Sequence, residues 1–206
     1  MTLNEIVANL VAFLVAGYDT TQNSLAFLCF ELATHPEIQK RVQEEIDENC
    51  PFEEVTYEQV QNLPFTEACI KESLRKYPVA LGSTARQCTE STTIGKDSFH
   101  VDKDTVIVVD SLSTNYNSEL WGDNPNEFNP DRWQEGNPKH QMAFMTFGGG
   151  PRLCIGNKFA LIEEKLILSM LLRKYTLEEV KETRLEQTGF VVLSCSDIKV
   201  KLVPRF

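Results

Sequence analysis

Much that would send a 206-residue chain toward other functions is missing from this one. There is no basic tract, and a formal net charge of −10 excludes a nucleic-acid binder that works by phosphate neutralisation. The longest apolar run, Leu10 to Gly17, falls well short of the roughly 20 residues a membrane helix needs. No dinucleotide-binding glycine fingerprint is present, so a nicotinamide cofactor has no site of its own here. Six cysteines stand at 29, 50, 69, 88, 154 and 195 without a Cys-x-x-Cys pair or a legible secretory signal. They are expected as reduced thiols facing the cytosol. No internal repeat, low-complexity tract or second domain boundary is visible. What remains, 42% hydrophobic and 24% charged, is the composition of a globular protein with a real core.

The most informative stretch is Phe147-Gly-Gly-Gly-Pro-Arg-Leu-Cys-Ile-Gly156. Gly148, Gly149 and Gly150 permit backbone angles that other residues refuse and let a flat, bulky group approach the main chain. From Ile155 to Lys174 the pattern predicts a helix, with Phe159, Ile162, Leu166, Ser169, Met170 and Arg173 along one line. Cys154 then falls at a helix N-terminus, where unpaired N–H groups favour a thiolate able to act as nucleophile or metal ligand. Arg152 adds a cationic fork suited to a carboxylate. A core cysteine would need neither the glycines nor the arginine.

Thr2 and Glu5 have capping-box spacing and open a long helix. From Ile6 to Ala16 it is apolar almost all round, as a helix buried on every side would be. Ala16-Gly-Tyr-Asp-Thr-Thr21 interrupts that pattern: Gly17 costs about 1 kcal/mol in a helix interior, and Thr20 can bond back to the main chain and bend it. An acid beside a hydroxyl there suits proton handling, and on spacing alone a solvated surface turn fits equally well. Pro36 and Pro64 suit first helical positions. Glu72 and Arg75 share a helix face, which by itself signals nothing more than a surface ion pair. Thr92 to Ile94, Phe99 to Val101 and Thr105 to Val109 read as strands, and Gln187 to Leu193 with Ile198 to Val203 as a terminal hairpin.

Together these segments resemble the cytochrome P-450 superfamily from end to end: the haem loop Phe-x-x-Gly-x-Arg-x-Cys-x-Gly, Ala-Gly-x-Asp-Thr-Thr, and Glu-x-x-Arg at Glu72 and Arg75. Asn129-Pro-Asp-Arg-Trp133 is similar to the family's Pro-Glu-Arg-Phe segment, with Asp131 and Trp133 as departures. The resemblance implies a mainly α fold with a small β-sheet (α+β), residues 1–206 forming the C-terminal part of one such domain. The chain then holds about half the family's length, as a fragment, short isoform or truncated product.

By resemblance Cys154 is the axial thiolate of haem b, Arg152 and Arg86 meet its propionates, and Phe147, Gly150, Gly156, Ala16 and Gly17 shape its seat. Asp19 and Thr20 would pass protons toward dioxygen through water. Glu72, Arg75 and Arg132 would form a buried structural triad. Phe13, Val79, Ala80, Leu81 and Phe190 would touch a small lipophilic substrate. Asn115 stands where many relatives carry histidine.

The implied activity is that of a monooxygenase, with electrons from NADPH through an NADPH-cytochrome reductase and cytochrome b5 as a possible second donor. Animal microsomal members sit on the cytosolic face of the endoplasmic reticulum membrane through an N-terminal anchor. Lys139, Arg152, Lys158, Lys165, Arg173 and Lys174 are expected to present a cationic docking face. The competing readings are a haem-thiolate isomerase or dehydratase of peroxides, and a truncated chain without catalysis.

Overall fold

The computed structural model describes residues 1–206 except 53, 82–84, 135–137 and 190–191. Four helices carry the bulk of the core: α1 (Leu3–Thr34), α2 (Pro36–Asn49), α4 (Pro64–Lys76) and α7 (Asn157–Leu172). The short helices α3 (Tyr57–Gln61), α5 (Ser111–Asn115) and α6 (Ser118–Trp121) lie between them. The eight described strands form four two-stranded antiparallel ladders. The mainly α architecture with small sheets is therefore present. All six cysteines are free.

Local chemistry sets the helix ends. Thr2 caps α1 in a full capping box, accepting from the Glu5 amide while Glu5 accepts from that of Thr2. Pro36 and Pro64 occupy the first positions of α2 and α4. The cap of α4 comes from outside its own sequence. Glu45 of α2 accepts from the amides of Phe65 and Thr66 at 2.7 and 2.8 Å, and from the Thr66 hydroxyl at 2.6 Å. A carboxylate at a helix N-terminus satisfies orphan donors and complements the dipole together.

Phe27, Leu28 and Leu32 of α1 pack with Val42, Ile46, Ile70, Leu74 and Leu168 in one core. Two buried amides stitch it to the strands. Gln39 donates to the carbonyls of Leu32 and Leu177, both at 2.9 Å, and accepts from the Leu177 amide at 2.7 Å. Gln43 reaches the Tyr175 carbonyl at 3.2 Å.

Several sequence expectations change here. α1 continues without a break through Gly17, and the Thr20 hydroxyl does bond back to the Ala16 carbonyl at 2.7 Å. The stretch from Ile6 to Ala16 is exposed, because no described element packs on it and burial begins only at Thr21. α7 starts at Asn157, with Gly156 before it, so Cys154 lies in the preceding turn and not on the helix. Its buried face runs through Glu164, Lys165, Leu168, Ser169 and Leu172, whereas Phe159 and Met170 of the expected stripe are 71% and 58% exposed. Two charges turn inward because each has a partner across the interface: Glu67 for Lys165, Ser24 for Glu164.

β1 (Arg86–Gln87) pairs with β4 (Val106–Ile107), a shorter strand than Thr105 to Val109. β2 (Thr92–Ile94) and β3 (Phe99–Val101) are the expected strands, and they pair antiparallel with each other. Among the described residues the expected terminal hairpin is not present. β6 (Gln187–Thr188) pairs with β7 (Ser194–Cys195), while β8 (Val200–Pro204) returns to β5 (Tyr175–Glu179) directly after α7. Five paired positions along β5 bury more backbone than the two-residue ladder could.

Glu72, Arg75 and Arg132 meet away from solvent. Glu72 takes Arg75 in a two-pronged contact at 2.8 and 2.9 Å, and Arg132 Nε at 2.8 Å. The Asn129 amide and the Trp133 indole N–H fill its remaining acceptor sites at 3.1 and 3.0 Å. Arg75 also donates to the carbonyls of Asn115 and Glu127, and Arg132 to those of Trp121 and Asn124. Asn115 returns its side-chain amide to the Arg75 carbonyl and so belongs to this network. Arg132→Ala strands a buried carboxylate and should cost about 3–5 kcal/mol in urea unfolding; a wild-type midpoint would contradict the network's structural role.

Candidate active site

A cleft of about 540 Å³ opens between α1, the Val79–Ala80 segment, β1, and the turn leading into α7. That volume falls within the usual range for small-molecule and cofactor sites. Phe13, Ala16, Gly17 and Thr20 line it from α1, Val79, Ala80 and Arg86 from the middle of the chain, and Phe147, Arg152, Cys154 and Gly156 from the loop. Eleven predicted residues, spread over 144 positions of sequence, thus share one space.

The loop is fixed by its own backbone. The Cys154 amide donates to the Phe147 carbonyl at 2.8 Å, and the Leu153 amide to that of Gly150 at 3.0 Å. Gly148 and Gly150 take φ of +77° and +64°, which side chains with a Cβ resist. A Cβ on Gly156 would sit 3.9 Å from Cys154 Sγ, and one on Gly17 would meet nothing within 4 Å. The thiol is exposed and opens toward the cleft.

The loop is anchored behind by aromatic contacts. Phe147 meets Phe144 edge-on at 6.4 Å, and Phe144 meets Trp133 at 4.9 Å, whose indole N–H donates to Glu72. Thr146 donates to the Leu74 carbonyl of α4 at 3.3 Å.

Other predicted residues fall elsewhere. Asp19 is exposed and off the cleft, its carbonyl accepting from Asn23, because a helix turns each successive residue about a hundred degrees and Thr20 takes the inward position. Gly150 shapes the loop without lining the cleft. Leu81 packs against the core. Phe190 lies outside the described residues. Lys165 leaves the expected cationic face: it is buried and donates to Glu67 at 2.9 Å, while Lys71 holds the other oxygen at 2.7 Å. Burial raises the Glu67 carboxyl's pKa, but those two cations outweigh it and hold the group below its ordinary value.

The wall also contains residues that sequence patterning passed over. Thr21, Ser24, Leu74, Thr146 and Glu164 all line the cleft. Glu164 is 2% exposed and accepts from the Ser24 hydroxyl at 3.1 Å. Its pKa is pushed up to about 8 by burial, and neighbouring Glu163 adds to this while the Ser24 bond opposes it. The adjacent pair Glu163-Glu164 was the available signal, since only one of two successive helical residues can face solvent squarely.

The cleft and loop fit a flat, largely apolar macrocycle with peripheral carboxylates. Glycine-lined floor and α1 leave room for its plane, Cys154 offers an axial sulfur, and Arg86 and Arg152 stand on the same space as cations for the carboxylates. Residues 1–202 match the cytochrome P-450 family, and the chain belongs to it. Among similar proteins are the Caenorhabditis elegans proteins named cytochrome P-450 CYP13A3, 42% identical, and CYP13A4, 41% identical, each over 209 residues. Both alignments take in the whole of this chain and 40% of the relative, so the chain spans about two fifths of the length of the curated relatives it matches. No described helix is long and apolar enough to cross a membrane.

Because Glu164 binds its proton more tightly folded than unfolded, its contribution to stability is complete below about pH 4.5 and shrinks as pH rises toward about 8. The wild-type stability measured relative to Glu164→Gln should therefore fall by about 1.4 kcal/mol per pH unit across that window and level off above it. Urea titrations of both proteins at stepped pH check this, and a difference that stays constant would contradict it.

Proposed function

We propose that this chain is the haem-carrying part of a monooxygenase that inserts one oxygen atom into a lipophilic organic substrate. The supporting observation is the convergence of Cys154, Arg86, Arg152 and Thr20 on one apolar cleft. A thiolate-ligated haem b, when bound, supplies the activation of dioxygen and the oxygen transfer. The chain's own residues do the rest. Cys154 presents the sulfur on a turn whose backbone hydrogen bonds hold it independently of ligand. Arg86 and Arg152 bind carboxylates by charge-assisted hydrogen bonds.

Phe13, Val79 and Ala80 exclude water and offer contacts to an apolar substrate. Thr20 holds a hydroxyl in the cleft, tied to the Ala16 carbonyl and able to accept from, or pass a proton to, a water beside it. That hydroxyl favours a reaction that consumes protons over an isomerisation of peroxides, which needs none.

Electrons would come from NADPH through an NADPH-cytochrome reductase, with cytochrome b5 as a further donor, at the cytosolic face of the endoplasmic reticulum. Once Lys165 is removed from the expected set, Lys139, Arg152, Lys158, Arg173 and Lys174 are the cations left for such docking, and all but the half-buried Arg173 are exposed.

Reduced, carbon-monoxide-treated chain loaded with haem should give the Soret band of thiolate ligation, and Cys154→Ala should lose it; a variant that keeps the band would remove Cys154 as ligand. Thr20→Ala should retain the band while more of the electrons supplied end in hydrogen peroxide. Tight coupling in that variant would take proton delivery away from Thr20.

A further inference from the structure

Glu164 has no assigned role, yet it is the one acidic side chain that lines the cleft among the described residues. It reaches the wall from α7, on the same element that follows Cys154, and meets Ser24 of α1, one helical turn beyond Thr20. We propose that Glu164 and Ser24 form a proton-holding pair whose ionisation places a negative charge in the cleft wall and thereby sets the reduction potential of haem bound at Cys154. This rests on the haem-thiolate reading above.

The geometry supplies each requirement. Glu164 is buried, so a charge there is poorly screened by water and acts at distance. The Ser24 hydroxyl supports the carboxylate at short range without neutralising it.

Among the described residues, the groups around it give no compensating cation. On α7 Glu163 adds a like charge, and on α1 the Cys29 thiol, its own pKa pushed up to about 12 by burial and by Glu164, stays neutral. The lysines nearest on α4 and α7, Lys71 and Lys165, are taken by Glu67. α3 packs on α7 with Val60 buried and Tyr57 and Glu58 exposed. α2 contributes the uncharged Gln43 amide to the Leu172 carbonyl, and Asp47 is held by Arg205. From β5, Glu178 and Glu179 are exposed. The cations of the cleft, Arg86 and Arg152, stand where propionates would engage them. Burial then keeps the acid neutral until about pH 8.

A negative charge in the cleft wall would favour the ferric over the ferrous state of a haem held there, so one-electron reduction from an external donor would become harder as Glu164 ionises.

Two measurements on the purified chain and its Glu164→Gln variant test this. Infrared difference spectra of the haem-free protein should contain a protonated-carboxyl stretch that disappears through about pH 8 and is absent from the variant. A band missing from wild type, or lost near the ordinary carboxyl range, overturns the proton-holding pair. With haemin bound, spectroelectrochemistry should find the wild-type midpoint potential falling through the same pH window, and the variant's staying level there. Equal pH profiles in the two overturn the coupling. Haemin bound without the thiolate Soret band sinks the ligand reading instead, and leaves the infrared titration to decide Glu164.

Discussion

One carboxylate, Glu72, holds the site in place. It gathers Arg75, Arg132, the Trp133 indole and the Asn129 amide around itself, and each arginine gives further donors to carbonyls of the segment from Asn115 to Glu127. A charge buried so deeply is tolerable only because every acceptor direction is filled. From that centre a continuous line of contacts leads to the functional loop, through Trp133 to Phe144, Phe144 to Phe147, and the Phe147 carbonyl to the Cys154 amide. The sulfur is therefore positioned by a network centred on Glu72, outside the cleft, that reaches the cleft wall at Phe147.

The same chemistry recurs at the other helix contacts. Glu45 caps α4 from α2, Arg41 grips Asp131 in two contacts at 2.7 and 2.9 Å, and Glu67 binds Lys165 and Lys71. Some ion pairs mark where elements cross, such as Arg41–Asp131 and Lys165–Glu67, whereas Lys40–Glu44 and Lys71–Glu67 lie along a single helix. Glu164 differs from these: it is an acid turned inward toward a hydroxyl, with no cation paired to it among the described residues. Its difference from Glu67 is informative: two carboxyls come from facing helices, one held below its ordinary range by lysines and the other pushed above it by burial.

How much of this was legible in the sequence depended on whether the signal was local. Helix starts at Thr2, Pro36 and Pro64 followed from capping and proline chemistry that acts within a turn. The loop around Cys154 was readable because glycines, arginine and cysteine crowd into ten positions. The exposed state of Ile6 to Ala16 was not, since an apolar pattern says what a helix can bury and not what is there to cover it. The inward face of α7 was misjudged because apolar periodicity discounts charged residues, and Glu164 and Lys165 are buried by partners far away in sequence. Strand pairing at the C-terminus failed similarly: β8 skips its neighbour to join β5. Asp19 could be placed on a helix but not on a side of it until the cleft was known.

The account stands on Cys154 being the thiol that a haem claims. Of the six cysteines it is the exposed one, while Cys50 and Cys69 are buried. Titrating the purified chain with a thiol-reactive reagent, before and after one equivalent of haemin, and locating the modified residue by peptide mass, measures this directly. Rapid labelling of Cys154 that haemin suppresses one for one is the predicted result. Labelling of Cys154 unchanged by bound haemin would contradict it.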